Sequence, residues 1–129
     1  MRPDLDLDQL ADLGAAARSS DAYRRELLTT GQSQVVLMTI AAGDAIGEEV
    51  HDDHDQFLAI VSGEGEVLLG ETERPLGSGQ LVFVPAGTRH DVRNTGDGPM
   101  RIVTTYAPPE HPPGTVHETK AEADAAEGH

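Results

Sequence analysis

The sequence predicts an all-β protein, a sandwich or a barrel of about nine or ten short strands. From Tyr23 to Ala107, short apolar runs alternate with turn residues such as Gly, Pro and Asp. Short strands at regular spacing with turn signals between them are typical of these architectures. The length of 129 residues suits a single domain with one hydrophobic core. We therefore expect one all-β domain over residues 23–107.

Residues 4–17 precede this domain and predict a short amphipathic helix. Leu5, Leu10 and Leu13 recur along the segment, with acidic residues at its front and alanines at its end. Gly14 weakens the helix because glycine loses more backbone entropy than other residues when it becomes ordered. We assign residues 1–22 to an N-terminal helical flank.

The strands of the domain follow from the apolar runs and from the turn residues that bound them. Glycines such as Gly63 and Gly87 suit turns that require a positive φ. The predicted strands are Tyr23–Thr29, Ser33–Ile40, Glu48–His51, Gln56–Ser62, Glu66–Leu69, Thr72–Leu76, Gln80–Val84, His90–Asn94 and Met100–Ala107.

Three segments are apolar at every position instead of at alternate ones: Val35–Met38, Phe57–Val61 and Leu81–Val84. A strand with one wet face would alternate, so both faces of these strands should be covered. The second cover is either another subunit or the N-terminal segment folded across the sheet. Phe57 and Val61 would face outward and leave apolar surface in water, and we therefore predict a homodimer.

The last part of the chain, residues 108–129, is first rich in proline and then polar and rich in alanine. We expect an ordered extension as far as His117, followed by a loose or marginally helical tail over Glu118–Glu127. The extension contains His111 as well as His117. Proline-rich extensions usually pack across a neighbour, which favours surface or interface positions for both histidines over a metal role.

The formal net charge of −14 argues against nucleic acids and anionic membranes as partners, because both need a cationic face. The sequence has no apolar run of about twenty residues and does not start like a signal peptide, so we expect a cytoplasmic protein. The single lysine, Lys120, fits a salt-adapted protein and also fits a genomic base composition that favours arginine. The sequence leaves this choice open.

The absence of cysteine restricts any metal site to imidazole, carboxylate and amide ligands. Two separate segments supply such groups. Glu49 and His51 are two positions apart, so on a strand both side chains point to one face. Gln56 begins the returning strand after the turn at Asp52–Asp55. His90 follows the turn at Pro85–Thr88 and lies on another strand. These segments together predict a divided metal site.

The second of these segments resembles a motif of the cupin superfamily, specifically of its small single-domain members. The motif places two glycines, a proline, a histidine and an asparagine at fixed intervals. Here it is complete, with Gly79, Pro85, Gly87, His90 and Asn94.

The first motif of that family is kept in part. It carries a His-x-His pair, then a glutamate, then a glycine. Counting back from Gly63 aligns His51 with the second histidine, while Glu49 stands at the first histidine and Gln56 at the glutamate. The resemblance implies a jelly-roll barrel, or double-stranded β-helix, in which Glu49, His51, Gln56 and His90 meet inside the mouth.

This ligand set suits a divalent transition metal such as Mn, Fe, Ni or Zn, with positions left for water or substrate. The alternative is that His51 and His90 are ordinary polar residues at a barrel rim. Asn94 suits a turn or rim hydrogen-bonder. His54 lies in a turn, where we expect it to be exposed, unless it swings in as a fifth ligand or proton shuttle. Tyr106 either donates a phenolic proton in the pocket or fills the barrel end.

The resemblance leaves two functions open. The first is a metal-dependent enzyme that oxygenates, isomerises or decarboxylates a small substrate chelating the ion through two oxygens, with Tyr106 and His54 as the candidate catalytic residues. The second is a non-catalytic module that binds a small molecule, a sugar or a metal ion. A metal-free structural role would require the ligand set to be a coincidence.

Overall fold

The computed structural model describes residues 12–126 of the chain. Within this range it contains two short helices and nine strands. Their bounds are α1 Leu13–Ser19, β1 Arg24–Thr29, β2 Gln34–Ile40, β3 Asp55–Ser62, β4 Glu64–Leu69, β5 Thr72–Gly77, β6 Leu81–Val84, β7 His90–Asn94, β8 Met100–Ala107, β9 Val116–His117 and α2 Lys120–Ala126.

The strands form two antiparallel sheets. The larger has six strands in the order β6-β3-β8-β2-β1-β9, and the smaller has three in the order β5-β4-β7. Side chains from both sheets meet in one buried cluster, for example Leu58 and Ile102 from the larger sheet and Val67 and Val92 from the smaller. The predicted all-β jelly-roll fold with a short N-terminal helix is confirmed.

Alternation along the strands places the core between the sheets. On β3, Leu58 and Ile60 are buried in this core, and on β8 Met100 and Ile102 are fully buried beside them. Each such side chain stabilises the fold by about 1.5–3 kcal/mol relative to an exposed position. The pairing of Leu58 with Thr104 and of Ile60 with Ile102 fixes the register of the two strands.

The outer face of the larger sheet is covered in part by α1. Ala17 of the helix packs with Leu37 and Val103, and Ala59 and Val61 lie against this second cluster. The N-terminal segment therefore supplies one of the two covers that the apolar strands require. The described helix begins at Leu13, after an Asp12 cap whose Oδ1 accepts from Ala15 N at 3.0 Å; the predicted helical residues 4–11 lie outside the described part of the chain.

The predicted strand Glu48–His51 is wrong as a continuous strand. Among these four residues only Glu49 pairs with another strand, just after Gly47, whose positive φ of 101° turns the backbone. What remains is an isolated bridge, in which Glu49 N donates to His90 O at 2.9 Å and His90 N donates to Glu49 O at 3.0 Å. This bridge still places Glu49 beside His90, as a full strand would have done.

The chain after β8 is ordered and folds back onto the barrel. Strand β9 pairs with β1, and α2 follows it, with Ala123 fully buried in the main core. The tail that the sequence predicted as loose or marginally helical is thus a docked helix over Lys120–Ala126, while Glu127 lies beyond the described residues. We call residues 108–115 the C-terminal strap.

Asn94 is a buried structural residue. Its Nδ2 donates to Ile40 O and to Gly98 O, both at 2.9 Å, and its Oδ1 accepts from Gly96 N at 2.9 Å. The side chain thereby ties the end of β7 to β2 and to the turn before β8. The hydrogen-bonding role considered for Asn94 from the sequence is the one that its contacts describe.

We predict that Asn94→Ala lowers the free energy of unfolding by about 2–3 kcal/mol, because two carbonyl groups lose their donor. Urea denaturation followed by circular dichroism measures this change. Asn94→Asp should be destabilised similarly, since a carboxylate cannot donate, while Thr95→Ala at the exposed neighbouring position should unfold like the parent protein. An unchanged midpoint for Asn94→Ala would contradict the assignment.

Candidate metal centre

Three imidazole rings meet at one end of the barrel. His51 follows the bridge to β7, His54 lies just before β3, and His90 is the first residue of β7. The ring centroid of His51 lies 4.6 Å from that of His54 and 5.3 Å from that of His90. His51 therefore lies between two other potential metal ligands.

The Nε2 atom of His51 faces the ligand set predicted from the sequence. Glu49 Oε2 lies 3.4 Å from it. His90 Nδ1 lies 2.9 Å from Thr88 O, a contact in which the ring nitrogen must donate, so the Nε2 atom of a neutral His90 ring carries a lone pair. Glu49, His51 and His90 are thus placed near one another with suitable atoms available.

Gln56 adds an oxygen to the same interior. Its Nε2 donates to Thr104 Oγ1 at 3.0 Å, which fixes the orientation of the amide. Its Oε1 is buried and accepts no hydrogen bond from the described residues. A buried carbonyl oxygen without a donor costs about 1–3 kcal/mol, so this atom is suited to a cation or a ligand.

The Nδ1 atom of His51 faces a different carboxylate. Glu110 Oε2 lies 3.7 Å from His51 Nδ1 and 2.8 Å from His54 Nε2. His54 Nδ1 lies 3.1 Å from Asp53 Oδ1, so each of its ring nitrogens faces a carboxylate oxygen. One ligand atom each from His51, His54 and Glu110 lie within 4.8 Å of one another, a group that could hold a metal ion.

His54 differs from its predicted exposed position. Its residue exposure is 5%, because the strap covers the turn that carries it. Glu110 was not identified from the sequence. The available signal was a carboxylate next to a histidine inside Pro108–Pro113, a segment that we expected to pack on a neighbour.

Burial favours the neutral forms of His51 and His90. Desolvation, followed by the positive charges that His54 and His90 would carry, lowers the pKa of His51 from 6.5 to about 4. Desolvation also lowers the pKa of His90. Metal ions bind the unprotonated ring, so protons compete with an ion at His51 only at a lower pH than the usual imidazole pKa indicates.

Tyr106 lies among these rings. It is buried and meets His51, His54 and His111 edge-on, with centroid distances of 6.1, 5.6 and 5.3 Å. Desolvation raises the pKa of its phenol above the usual value, and the positive charge of Arg24, followed by a hydrogen bond with Thr104, opposes that shift. Tyr106 is therefore a protonated donor at neutral pH and also fills the end of the barrel.

His111 and His117 occupy different environments. His111 is half-buried, and its Nε2 accepts or donates no hydrogen bond among the described residues. Desolvation, followed by the positive charge of Arg24, lowers the pKa of His111 to about 3. His117 Nδ1 lies 3.1 Å from Arg24 Nη1. His111 thus packs inward against Tyr106 and not on the surface that the sequence favoured.

None of the helices within residues 12–126 has the length and apolar character needed to cross a membrane.

Comparison with known proteins identifies relatives over most of the chain. A family profile described as a cupin domain matches residues 36–106. The chain is 42% identical over 124 residues to YrkC, an uncharacterized protein of Bacillus subtilis, and the match covers 92% of this chain and 67% of YrkC. It is 33% identical over 88 residues to CurC of Streptomyces cyaneus, which is named a polyketide synthase; the match covers 67% of this chain and 57% of CurC.

A solved structure extends the similarity to the whole described fold. The crystal structure of BH2720 from Bacillus halodurans has a TM-score of 0.90 and 40% identity, covering 96% of this chain and 95% of BH2720. The chain spans nearly all of BH2720 but only about two thirds or less of YrkC and CurC.

The lowered histidine pKa values predict how stability depends on pH. His51 and His111 titrate near 4 and 3 in the folded protein and near 6.5 when unfolded. Between these values the unfolded chain binds more protons, so the free energy of unfolding should fall as pH drops from about 7.5 to about 5. Urea titrations in the presence of a chelator measure this slope.

His111→Asn provides the control for this pH dependence. The variant removes one of the contributing imidazoles and should show a shallower slope over the same range. A parent protein whose stability is constant between about pH 7.5 and 5 would contradict burial of neutral imidazoles.

Proposed function

The chain belongs to the cupin domain family, and on that premise we propose that it binds a divalent transition metal through Glu49, His51, Gln56 and His90. The observation that carries this proposal is the buried Gln56 Oε1, which no described donor reaches. The carboxylate of Glu49 beside His51 Nε2 and the hydrogen bond that orients His90 support it.

The donor set fits a metal of intermediate hardness. Two neutral imidazoles, one carboxylate and one amide oxygen suit Mn, Fe, Ni or Zn, whereas Mg and Ca prefer oxygen donors throughout. Glu49 and Glu110 together offset the charge of a divalent ion, and both lie within 4 Å of the His51 ring nitrogens. Burial of an ion is costly unless such charges lie near it.

A second ligand set is His51, His54 and Glu110. Its support is the mutual proximity of the three ligand atoms, within 4.8 Å. The two sets share His51 but use opposite ring nitrogens, Nε2 toward Glu49 and Nδ1 toward Glu110. In the first set Glu110 is an outer carboxylate that orients His51, an arrangement common around metal-bound histidines.

We further propose that the protein is an enzyme acting on a small molecule that offers two oxygen atoms to the ion. The bound ion would supply Lewis acidity and a template for those oxygens. Tyr106 provides a protonated hydroxyl next to the imidazoles. Glu110 of the strap lies against His54, which is 5% exposed. The name of CurC, a polyketide synthase, is compatible with small-molecule metabolism.

The alternative is a non-catalytic cupin module that binds a small molecule, a sugar or a metal ion. Incubation of the Fe- or Mn-loaded protein with a panel of diols, diketones and hydroxy acids distinguishes the two. Chemical conversion that is lost in Tyr106→Phe supports the enzyme. Saturable binding of the same compounds without conversion supports the module.

We also propose a homodimer in the cytoplasm. Leu81 and Phe83 of β6 are 65% and 47% exposed, and Phe83 stacks on Phe57 at 5.0 Å. Strand β6 is an edge of the larger sheet, so its outer backbone groups are open to another strand. A second copy of β6 placed antiparallel would cover both the edge and the two apolar side chains.

The metal proposal predicts an order of affinities for Mn²⁺ measured by isothermal titration. Glu49→Gln should weaken binding more than Gln56→Ala, because Glu49 supplies charge and Gln56 a neutral oxygen. Glu110→Gln should weaken binding by roughly ten-fold, as is common for outer carboxylates. Glu71→Gln, which removes one charge at an exposed turn, is the matched control and should bind like the parent.

Two results would contradict this ligand assignment. One is unchanged affinity in Glu49→Gln together with abolished binding in Glu110→Gln and His54→Asn. This result would assign the ion to the second ligand set. Elemental analysis of protein purified without added metal tests the proposal more directly. If the purified protein contains no transition metal and binds none of Mn²⁺, Fe²⁺, Ni²⁺ and Zn²⁺ on titration, the metal-binding proposal is refuted.

The dimer proposal predicts a sedimenting species of twice the 13.7 kDa chain mass at micromolar concentration. Phe83→Asp should yield the monomer, because a buried unpaired carboxylate opposes association. Glu73→Asp on β5, an exposed position outside the patch, serves as the control. A parent protein that sediments as a monomer would rule out this interface.

A further inference from the structure

Gln34 is a buried polar side chain at the start of β2. Its exposure is 1%, and it lies outside the residues that the family motifs provide. Burying a primary amide is unfavourable unless its two donor and two acceptor positions are used. The hydrogen bonds that compensate for its burial therefore identify the groups that Gln34 holds in place.

All the contacts of the Gln34 amide can be named. Nε2 donates to Thr29 Oγ1 at 2.8 Å and to His111 O at 2.7 Å. Oε1 accepts from Glu110 N at 3.2 Å and from His111 N at 3.0 Å. Three of the four hydrogen bonds thus hold the backbone of two strap residues, much as a neighbouring strand would.

The strap is held at its other end by Glu26. Its Oε1 accepts from Gly114 N at 3.1 Å, and its backbone N–H donates to Thr115 O at 2.8 Å. Thr29 Oγ1 donates to Glu26 Oε2 at 2.8 Å and so links this end to Gln34. The whole strap is fixed through a connected network on β1 and β2.

This network determines where the Glu110 carboxylate lies. With its backbone N–H fixed by Gln34, the side chain extends to 2.8 Å from His54 Nε2 and 3.7 Å from His51 Nδ1. Release of the strap would withdraw the carboxylate from both rings. Both rings would then lose the negative charge that lies beside them.

We infer that Gln34 is a positioning residue of the metal centre, which acts by holding Glu110 against His51 and His54. This inference rests on the proposed metal function, in which Glu110 either orients His51 or binds the ion itself. In both cases the inference requires that the effect of Gln34 on metal binding passes through the Glu110 carboxylate and not through His111, which Gln34 also holds. That requirement makes the inference testable by a double-mutant cycle.

The first measurement uses the metal-free protein. The ¹⁵N chemical shifts of the His54 ring report the close contact between its Nε2 atom and the Glu110 carboxylate. Gln34→Leu should move them toward the values of Glu110→Ala. Thr29→Val, which removes the hydroxyl that accepts from Gln34 and donates to Glu26, should move them in the same direction by less. Unchanged His54 shifts in folded Gln34→Leu, or in Thr29→Val if Gln34→Leu does not fold, would overturn the inference.

The second measurement is Mn²⁺ affinity in the parent, Gln34→Leu, Glu110→Gln and the double variant. We expect Gln34→Leu to weaken binding by roughly ten-fold in the parent and to have no further effect in Glu110→Gln. Equal losses in both backgrounds would mean that Gln34 acts through general loosening of the barrel, which overturns the inference. A parent protein that binds no ion would refute the proposed function, and the His54 shifts alone would then decide the role of Gln34.

Discussion

The structure depends on one constraint, that polar atoms removed from water need partners. Gln34 and Asn94 meet it fully, because their amides hydrogen-bond on both the donor and the acceptor side. Gln56 meets it on one side only, through Thr104. A fold that pairs two buried amides completely and leaves the oxygen of a third open indicates where a ligand belongs.

The antiparallel pairing of the strands brings distant residues to this one end. Glu49 and His90 are joined by a backbone bridge, and Gln56 faces Tyr106 across the β3–β8 pair. Because the two sheets face each other, side chains from β3, β7 and β8 converge although they are far apart in sequence. The positions are rigid because they lie on or beside strands whose register is fixed by the core.

The candidate metal centre consists of two sets of residues: an inner layer within the segment that the cupin profile matches, and an outer layer outside that segment. The profile match covers residues 36–106, which include the predicted ligands and Tyr106. Glu110 and its anchors Gln34 and Glu26 lie on either side of that segment. The similarity to BH2720 covers 96% of the chain and so extends beyond the profile match on both sides. Each layer places a carboxylate beside His51: Glu49 of the inner layer lies near Nε2, and Glu110 of the outer layer lies near Nδ1.

The sequence by itself determined most of the strands, the fold and the family, because these depend on local periodicity, turn residues and motif spacing. His90 and Asn94 could be selected in this way, and β7 and β8 begin and end where the pattern predicts. Burial of every second residue of a strand can be predicted from the alternation of apolar and polar residues, which a short segment already shows.

Only the tertiary structure decided the burial of His54, the inward position of His111 and the arrival of Glu110 at His51. These depend on the path of an irregular proline-containing strap, for which local sequence provides no period. The hydrogen bonds that fix the path join distant residues, such as Glu26 and Gly114, which are 88 positions apart. Such contacts are selected by the free energy of the whole fold, and not by the preferences of either segment alone.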